Sequence, residues 1–393
     1  MSILKKCDGY TLARETQAAG IYPCFMPIEQ STATEALIGG AWKIMVGSNN
    51  YLGLTHHPRI LEAARGALTK FGSGSTGSRL LNGTLALHET LERRLAALFH
   101  KEDAIVYSTG YQANLGIIGS LVGRDEHVFL DRLNHASIVD AARLSYGQIH
   151  RFPHHDAAAL DRQLGMVPAH QGKLVVTDGV FSMEGTVAEL PAIVAAAKAH
   201  DATVLVDEAH AVGVFGANGA GTAEHFGLSD QIDLIMGTFS KSLASIGGVI
   251  AGPESVIHWL RHHSRPFVFT ASMPPSSVAG VLAALDIMAE EPERRERLWS
   301  NTLRVAEGLR SLGFEVGPGE SPIIPVVIGE LLPTLHVWRT LFDAGVFTHT
   351  IAPPAVAANS CRLRVSMTAE HSDEQVERVL EAFARVAKLV VAA

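Results

Sequence analysis

The 393-residue chain predicts an α/β fold with a mostly parallel, covered sheet. Short runs of Val, Ile and Leu alternate with helical patterns of about 10–15 residues, and the runs are apolar throughout rather than at every second position. A strand reads that way when helices cover both faces of its sheet. In addition, chemically versatile residues stand where the runs end, and open α/β sheets gather their sites outside the carboxyl ends of strands.

Taken in order, the segment before residue 50 is less regular, with a small hairpin over residues 38–46 that feeds into Ser48-Asn-Asn-Tyr-Leu-Gly53. A helical pattern spans residues 58–70. Strand candidates follow at residues 104–108, 127–130, 173–177, 203–207, 234–237 and 248–251. After Met273-Pro-Pro275 the texture changes to a long helical stretch over residues 277–312, then a strand-rich tail and a final amphipathic helix over residues 372–389. This reading gives an N-terminal segment (1–50), a large domain (51–280) and a smaller C-terminal α+β domain (281–393), with no internal repeat or low-complexity tract.

Composition narrows the function classes. Hydrophobic residues make up 47% and charged residues 18%, which is ordinary for a soluble enzyme, and the net charge of −8 argues against a nucleic-acid partner. Arg261-His-His-Ser-Arg265 is only a small basic cluster. Cys7, Cys24 and Cys361 have no paired spacing, which fits a reducing cytoplasm. No signal-peptide core or run of transmembrane length is present. Histidine is abundant, but His56-His57, His154-His155 and His262-His263 are adjacent pairs without a ligand spacing, so no metal is expected.

The chemistry concentrates in two segments, Gly237-Thr-Phe-Ser-Lys-Ser-Leu-Ala-Ser-Ile-Gly-Gly248 and Thr203-Val-Leu-Val-Asp-Glu-Ala-His210. A lysine in the first can form a Schiff base with an aldehyde, and an aspartate at the end of a buried strand in the second can keep a pyridine nitrogen protonated. Lys241 and Asp207 are therefore candidate partners of pyridoxal 5'-phosphate, with His210 turned toward the ring's phenolic oxygen. Two decoys fall away. Asp-Glu-Ala-His also occurs in helicase ATPases, yet no Gly-Lys-Ser or Gly-Lys-Thr is present to cradle a nucleotide. Gly72-Ser-Gly-Ser-Thr-Gly77 has the dinucleotide spacing but follows a helical pattern, where that motif requires a strand. The cofactor's phosphate is expected at the backbone N–H groups of Gly110 and Tyr111, where strand 104–108 runs into a helix, with hydroxyls from Thr238 and Ser240. Ser182 is a candidate partner of the ring oxygen.

With these residues in place the chain resembles the α-oxoamine synthases. The resemblance rests on Asn49-Asn-Tyr-Leu-Gly53, Asn134-His-Ala-Ser137, Asp178-Gly-Val-Phe-Ser-Met-Glu-Gly185, Asp207-Glu-Ala-His210, Thr238-Phe-Ser-Lys241 and Arg362-Leu-Arg364, all in family order. Several stretches are most similar to the bacterial serine palmitoyltransferase branch, among them Ser108-Thr-Gly-Tyr-Gln-Ala-Asn114 and Arg265-Pro-Phe-Val-Phe-Thr-Ala-Ser-Met-Pro-Pro275. The resemblance implies pyridoxal-phosphate-dependent fold type I and a C-acyltransferase that condenses an amino acid with an acyl-CoA, releasing CoA and carbon dioxide. Serine with a long-chain acyl-CoA is the expected pair. Glycine or alanine, as in amino-ketobutyrate CoA ligase or amino-oxononanoate synthase, is the alternative, and a pyridoxal-phosphate lyase or aldolase is the reading from a different class. The resemblance also implies that His135 stacks on the cofactor ring and touches substrate. Arg364, helped by Asn50, takes the substrate carboxylate. Thr270 reaches the phosphate of the neighbouring subunit, so the resemblance implies a homodimer with shared active sites. Arg362, two residues from Arg364, is left without a role. The serine-using branch has an arginine just before the Pro-Pro of the tail, where this chain has Ala352 before Pro353-Pro354.

Overall fold

In the computed structural model, which describes residues 3–390, the apolar runs assemble into one seven-stranded sheet. Its strands are β1 (Asp103–Tyr107), β2 (His127–Asp131), β3 (Gln148–Phe152), β4 (Lys173–Asp178), β5 (Thr203–Asp207), β6 (Leu234–Thr238) and β7 (Gly248–Gly252). Their order across the sheet is β1-β7-β6-β5-β4-β2-β3. The pairs from β3 to β6 are parallel, whereas β7 runs antiparallel to both β6 and β1. The reversal has a simple cause. Only residues 239–247 separate β6 from β7, too few for the crossover that a parallel neighbour requires.

Every residue of β2, β4, β6 and β7 is buried, which explains why these strands read as continuous apolar runs. Strand β3 is different. It lies at the sheet edge with four of its five residues partly or fully exposed, and its sequence Gln-Ile-His-Arg-Phe gives no apolar run. The helical stretch expected over residues 277–312 is two helices, Pro275–Glu290 and Glu293–Ser311. Pro292 between them cannot donate the backbone hydrogen bond that a continuous helix needs there.

The chain forms two units. One comprises Asn49–Ser182 and Thr186–Arg297 and contains the seven-stranded sheet. Helix Pro275–Glu290 belongs to it and packs along helix Pro58–Phe71. The segment Gly72–Gly77 follows the latter helix and no strand, and so lacks the dinucleotide-binding context.

The other unit comprises the residues up to Ser48, Met183–Gly185 and those from Leu298 onward. It holds the expected hairpin, Glu35–Ile38 with Ala41–Met45, closed by Gly39 and Gly40 at φ of 57° and 74°. Two successive positive φ values are what a two-residue hairpin turn demands, and glycine meets them without strain. A four-stranded antiparallel sheet follows, in the order Glu315–Val316, Ile323–Gly329, Cys361–Ser366 and His349–Ile351. Trp338 and Phe383 are fully buried in the core beneath it. Among the described residues no helix is long and apolar enough to cross a membrane.

Candidate active site

A cavity of about 390 Å³ opens at the carboxyl ends of the central strands. Gly110, Tyr111, His135, Asp207, His210, Thr238, Ser240 and Lys241 all line it, together with Thr109, Ser137, Asp178, Ala209, Met236, Ile246 and Gly247. Lys241 sits in the loop between β6 and β7. That loop is held by backbone hydrogen bonds from Phe239 to Gly247, Ser245 to Phe239 and Ala244 to Lys241, at 2.9–3.0 Å. Gly247 adopts φ of 128°, and a Cβ there would lie 2.6 Å from the Phe239 ring. Only glycine lets the loop close so tightly.

The anion cradle is built the same way. Helix Gly110–Leu121 starts directly after β1, with Thr109 as its N-cap accepting from the Gln112 N–H. A Cβ on Gly110 would lie 2.8 Å from Thr238 Oγ1, and one on Gly248 would lie 2.6 Å from the Gly110 Cα. These glycines bring free helix N–H groups against the Thr238 and Ser240 hydroxyls, an arrangement suited to a phosphate. The hydroxyls have distinct tasks. Thr238 donates to the Gly247 carbonyl at 3.0 Å and so accepts the Ser240 hydrogen at 3.1 Å, which leaves Ser240 as the hydroxyl whose hydrogen can turn to an anion without opening the loop.

Asp207 ends β5 and is buried; Oδ1 accepts from the Ala209 N–H at 2.9 Å and Oδ2 from Asn114 Nδ2 at 2.8 Å. In register beside it, Asp178 ends β4. Burial, then the charge of Asp207, pushes the Asp178 carboxyl well above the usual carboxylate range. Asp178 Oδ2 also meets the His135 backbone N–H at 3.0 Å, which fixes the turn that presents His135. Burial lowers the His135 pKa, opposed by Asp207 and assisted by Lys241, so the ring is neutral near pH 7. His210 is anchored by Tyr51, whose hydroxyl lies 2.8 Å from Nδ1.

Four expected residues lie outside the cavity lining. Ser182 is half-buried in the turn after β4, Asn50 donates to Thr55 Oγ1 at 3.0 Å, and Thr270 Oγ1 accepts from Gln112 Nε2 at 3.3 Å. Arg364 belongs to the other unit, where it is buried on strand Cys361–Ser366 and pairs in register with His349. Arg362, for which the sequence suggested no role, clamps its surroundings: it donates to the carbonyls of Met183 and Ser360 and to Ser360 Oγ. Ala352 follows strand His349–Ile351, and its carbonyl accepts from the Ala355 N–H at 3.0 Å. Sequence reasoning missed Asp178, Ser137 and Asn114 as individual residues. Asp178 had a legible signal, since two parallel strands that both end in aspartate set their carboxylates side by side.

A lysine amine, a buried carboxylate and an anion cradle around one cavity, on this sheet, define pyridoxal-phosphate-dependent fold type I. Residues 42–383 match the model of the class I and II aminotransferase family. The chain is 47% identical to a serine palmitoyltransferase of Sphingobacterium spiritivorum, over 98% of this chain and 96% of that protein. A solved serine palmitoyltransferase of S. paucimobilis with bound PLP and myriocin is 40% identical, covers 100% of both chains and superposes with a TM-score of 0.97. An 8-amino-7-oxononanoate synthase of Thermoanaerobacter pseudethanolicus is 40% identical over 95% of each chain. The chain belongs to the class I and II aminotransferase family and, within it, to the α-oxoamine synthases.

Proposed function

We propose that this protein is a pyridoxal-phosphate-dependent C-acyltransferase that condenses serine with a long-chain acyl-CoA, giving an α-aminoketone, CoA and carbon dioxide. The observation that carries the reading is full-length likeness to serine palmitoyltransferases combined with Lys241, Asp207 and His135 around one cavity. On this reading the cofactor unit is Asn49–Ser182 with Thr186–Arg297. Lys241 holds the cofactor's aldehyde, Asp207 its ring nitrogen, and Gly110, Tyr111 and Ser240 its phosphate. Thr238 steadies Ser240. When bound, pyridoxal phosphate supplies a carbonyl for the amino group and an electron sink for charge developing at Cα.

The protein's own work is positioning and proton transfer. The Lys241 amine, once released, is the base for the Cα hydrogen and later returns a proton. Neutral His135 covers the ring and can donate to the substrate without adding a positive charge. Arg364 offers the substrate carboxylate a planar pair of donors, with Asn50 assisting. Ser182 and His210 serve the ring oxygen. Incubation with serine and palmitoyl-CoA should release free thiol and carbon dioxide in equal amounts, with the aminoketone identified by mass spectrometry. An amino-acid cleavage that proceeds without thioester would instead place the protein among the lyases.

Ala352 makes a glycine- or alanine-using sister reaction the second reading. If Arg364 carries carboxylate capture without help from the tail, Arg364→Ala weakens amino-acid binding by about 1.5–3 kcal/mol, roughly tenfold to over a hundredfold. Ala352→Arg should recover part of that loss in the Arg364→Ala background. Absorbance titrations with serine, glycine and alanine decide both points, and an Arg364→Ala protein that binds all three normally would show that another residue holds the carboxylate.

We further assign Thr270 to the phosphate of a second subunit, which makes the homodimer part of the active site. Specific activity should then fall on dilution in step with dimer dissociation measured by sedimentation. A fully active monomer is incompatible with this assignment.

A further inference from the structure

Behind the cavity wall, Asn114 connects two groups that the proposed chemistry uses separately. It lies about one turn beyond Gly110 and Tyr111 on helix Gly110–Leu121, and its side chain is fully buried. Its Nδ2 donates to Asp207 Oδ2 at 2.8 Å and to Ser137 Oγ at 2.9 Å. Ser137 Oγ lies 2.8 Å from His135 Nδ1, and the Ser137 backbone N–H approaches the same nitrogen at 3.2 Å.

The direction of each bond follows from charge. An ionised carboxylate only accepts, so the carboxamide of Asn114 must turn its NH2 group toward Asp207. Both amide hydrogens are then engaged, and the buried Oδ1 is left without a hydrogen-bond partner among the described residues. A side chain placed for packing alone gains nothing from an unpaired buried carbonyl. Ser137 Oγ accepts from Asn114, which leaves its own hydrogen for His135 Nδ1. A ring nitrogen facing two donors carries no proton, so neutral His135 keeps its hydrogen on Nε2.

We propose that Asn114 is a positioning residue that couples the charge of Asp207 to the tautomer of His135 through Ser137. The proposal rests on the reading of Asp207 and His135 as cofactor partners. It is tested on the full chain stripped of cofactor and supplied with pyridoxal phosphate alone, so that acyl transfer plays no part. Nitrogen NMR of labelled histidine, assigned with a His135→Gln variant, should find His135 protonated on Nε2 and bare on Nδ1. In Asn114→Ala and Ser137→Ala the Nδ1 signal should move toward that of a nitrogen accepting fewer hydrogen bonds. The double variant should move it no further than Ser137→Ala does. Pyridoxal phosphate affinity should fall about tenfold or more in Asn114→Ala, the effect of removing a hydrogen bond to a charged group, and by less in Ser137→Ala. A wild-type ring protonated on Nδ1 overturns the proposal whatever the variants do. So does a folded Asn114→Ala protein with wild-type affinity and an unmoved signal. A wild-type chain that took up no pyridoxal phosphate would remove the functional reading as well.

Discussion

Lys241→Ala is expected to abolish turnover while leaving the fold intact. On the proposed reading both the covalent hold on the cofactor and the base at Cα are lost together; a positioned base alone is worth roughly 10²–10⁴-fold, so a fall of at least that size is expected. The fold should survive because the loop between β6 and β7 is closed by backbone hydrogen bonds and by Gly247. Borohydride reduction followed by peptide mapping gives the direct check, and other lysines supply demanding controls. Burial lowers the pKa of the Lys101 amine, which makes it a chemically credible competitor. Its Nζ is nevertheless committed to the carbonyls of Ser229 and Ile232, just before β6 begins and so at the far end of the sheet from the cavity. Lys173 starts β4 at the same far edge, and Lys198 is paired with Asp233. Reduced cofactor on Lys101, Lys173 or Lys198 would overturn the site; on Lys241 alone, it stands.

The sheet was legible because burial on both faces leaves a mark in the sequence. Strands β2, β4, β5, β6 and β7 each coincide with an apolar run, and their observed bounds differ from the expected ones by at most a residue or so. Edge strand β3 left no such mark, because its exposed positions tolerate Gln, His and Arg. The antiparallel turn of β7 was implicit in the short loop after β6, yet apolar texture alone says nothing of strand direction. Pro292 announced the break between the two C-terminal helices, but the helical pattern on either side concealed it.

Of the expected site residues, Asp207, His135, Gly110 and the loop of Lys241 line the cavity, and each stands at a strand end or a helix start. Residues whose place depends on a neighbour were not read as site residues. Asn114 reads as one polar position within a helix, and only the packing of that helix over β6 and β7 brings it to Asp207. Asp178 reads as part of a motif, and only the register of β4 with β5 turns it into a second carboxylate beside the first. Thr238 illustrates the limit from the other side: its hydroxyl reads as a phosphate donor, and only the structure shows that the Gly247 carbonyl competes for its hydrogen.

Asp207→Asn should retain a folded protein and lose most of its activity, and the local hydrogen bonds say why the change is not a quiet one. The carboxylate receives one donor on each oxygen, Ala209 N–H on Oδ1 and Asn114 Nδ2 on Oδ2. An amide has one oxygen. Whichever way the substituted carboxamide turned, its NH2 would face one of these donors, leaving a buried donor unpaired at about 1–3 kcal/mol. The lost charge matters more. An opposite charge at hydrogen-bond range favours a protonated partner by about 1–3 pKa units, so a pyridine nitrogen beside the amide is roughly 10- to 1000-fold less protonated at neutral pH, and turnover should fall in proportion. Asp178 sharpens the test. Its carboxyl is pushed up first by burial and then by the charge of Asp207. Removing that charge lowers the Asp178 pKa, so ionisation returns one negative charge to the carboxylate pair as pH rises. The residual activity of Asp207→Asn should therefore increase toward alkaline pH, and the additional change Asp178→Asn should abolish the increase. Exchange of the amino-acid Cα hydrogen in deuterated buffer, followed by NMR without any thioester, isolates this step from acyl transfer. Wild-type exchange rates in Asp207→Asn would mean that the carboxylate does not govern the electron sink, and the assignment of Asp207 to the ring nitrogen would have to be given up.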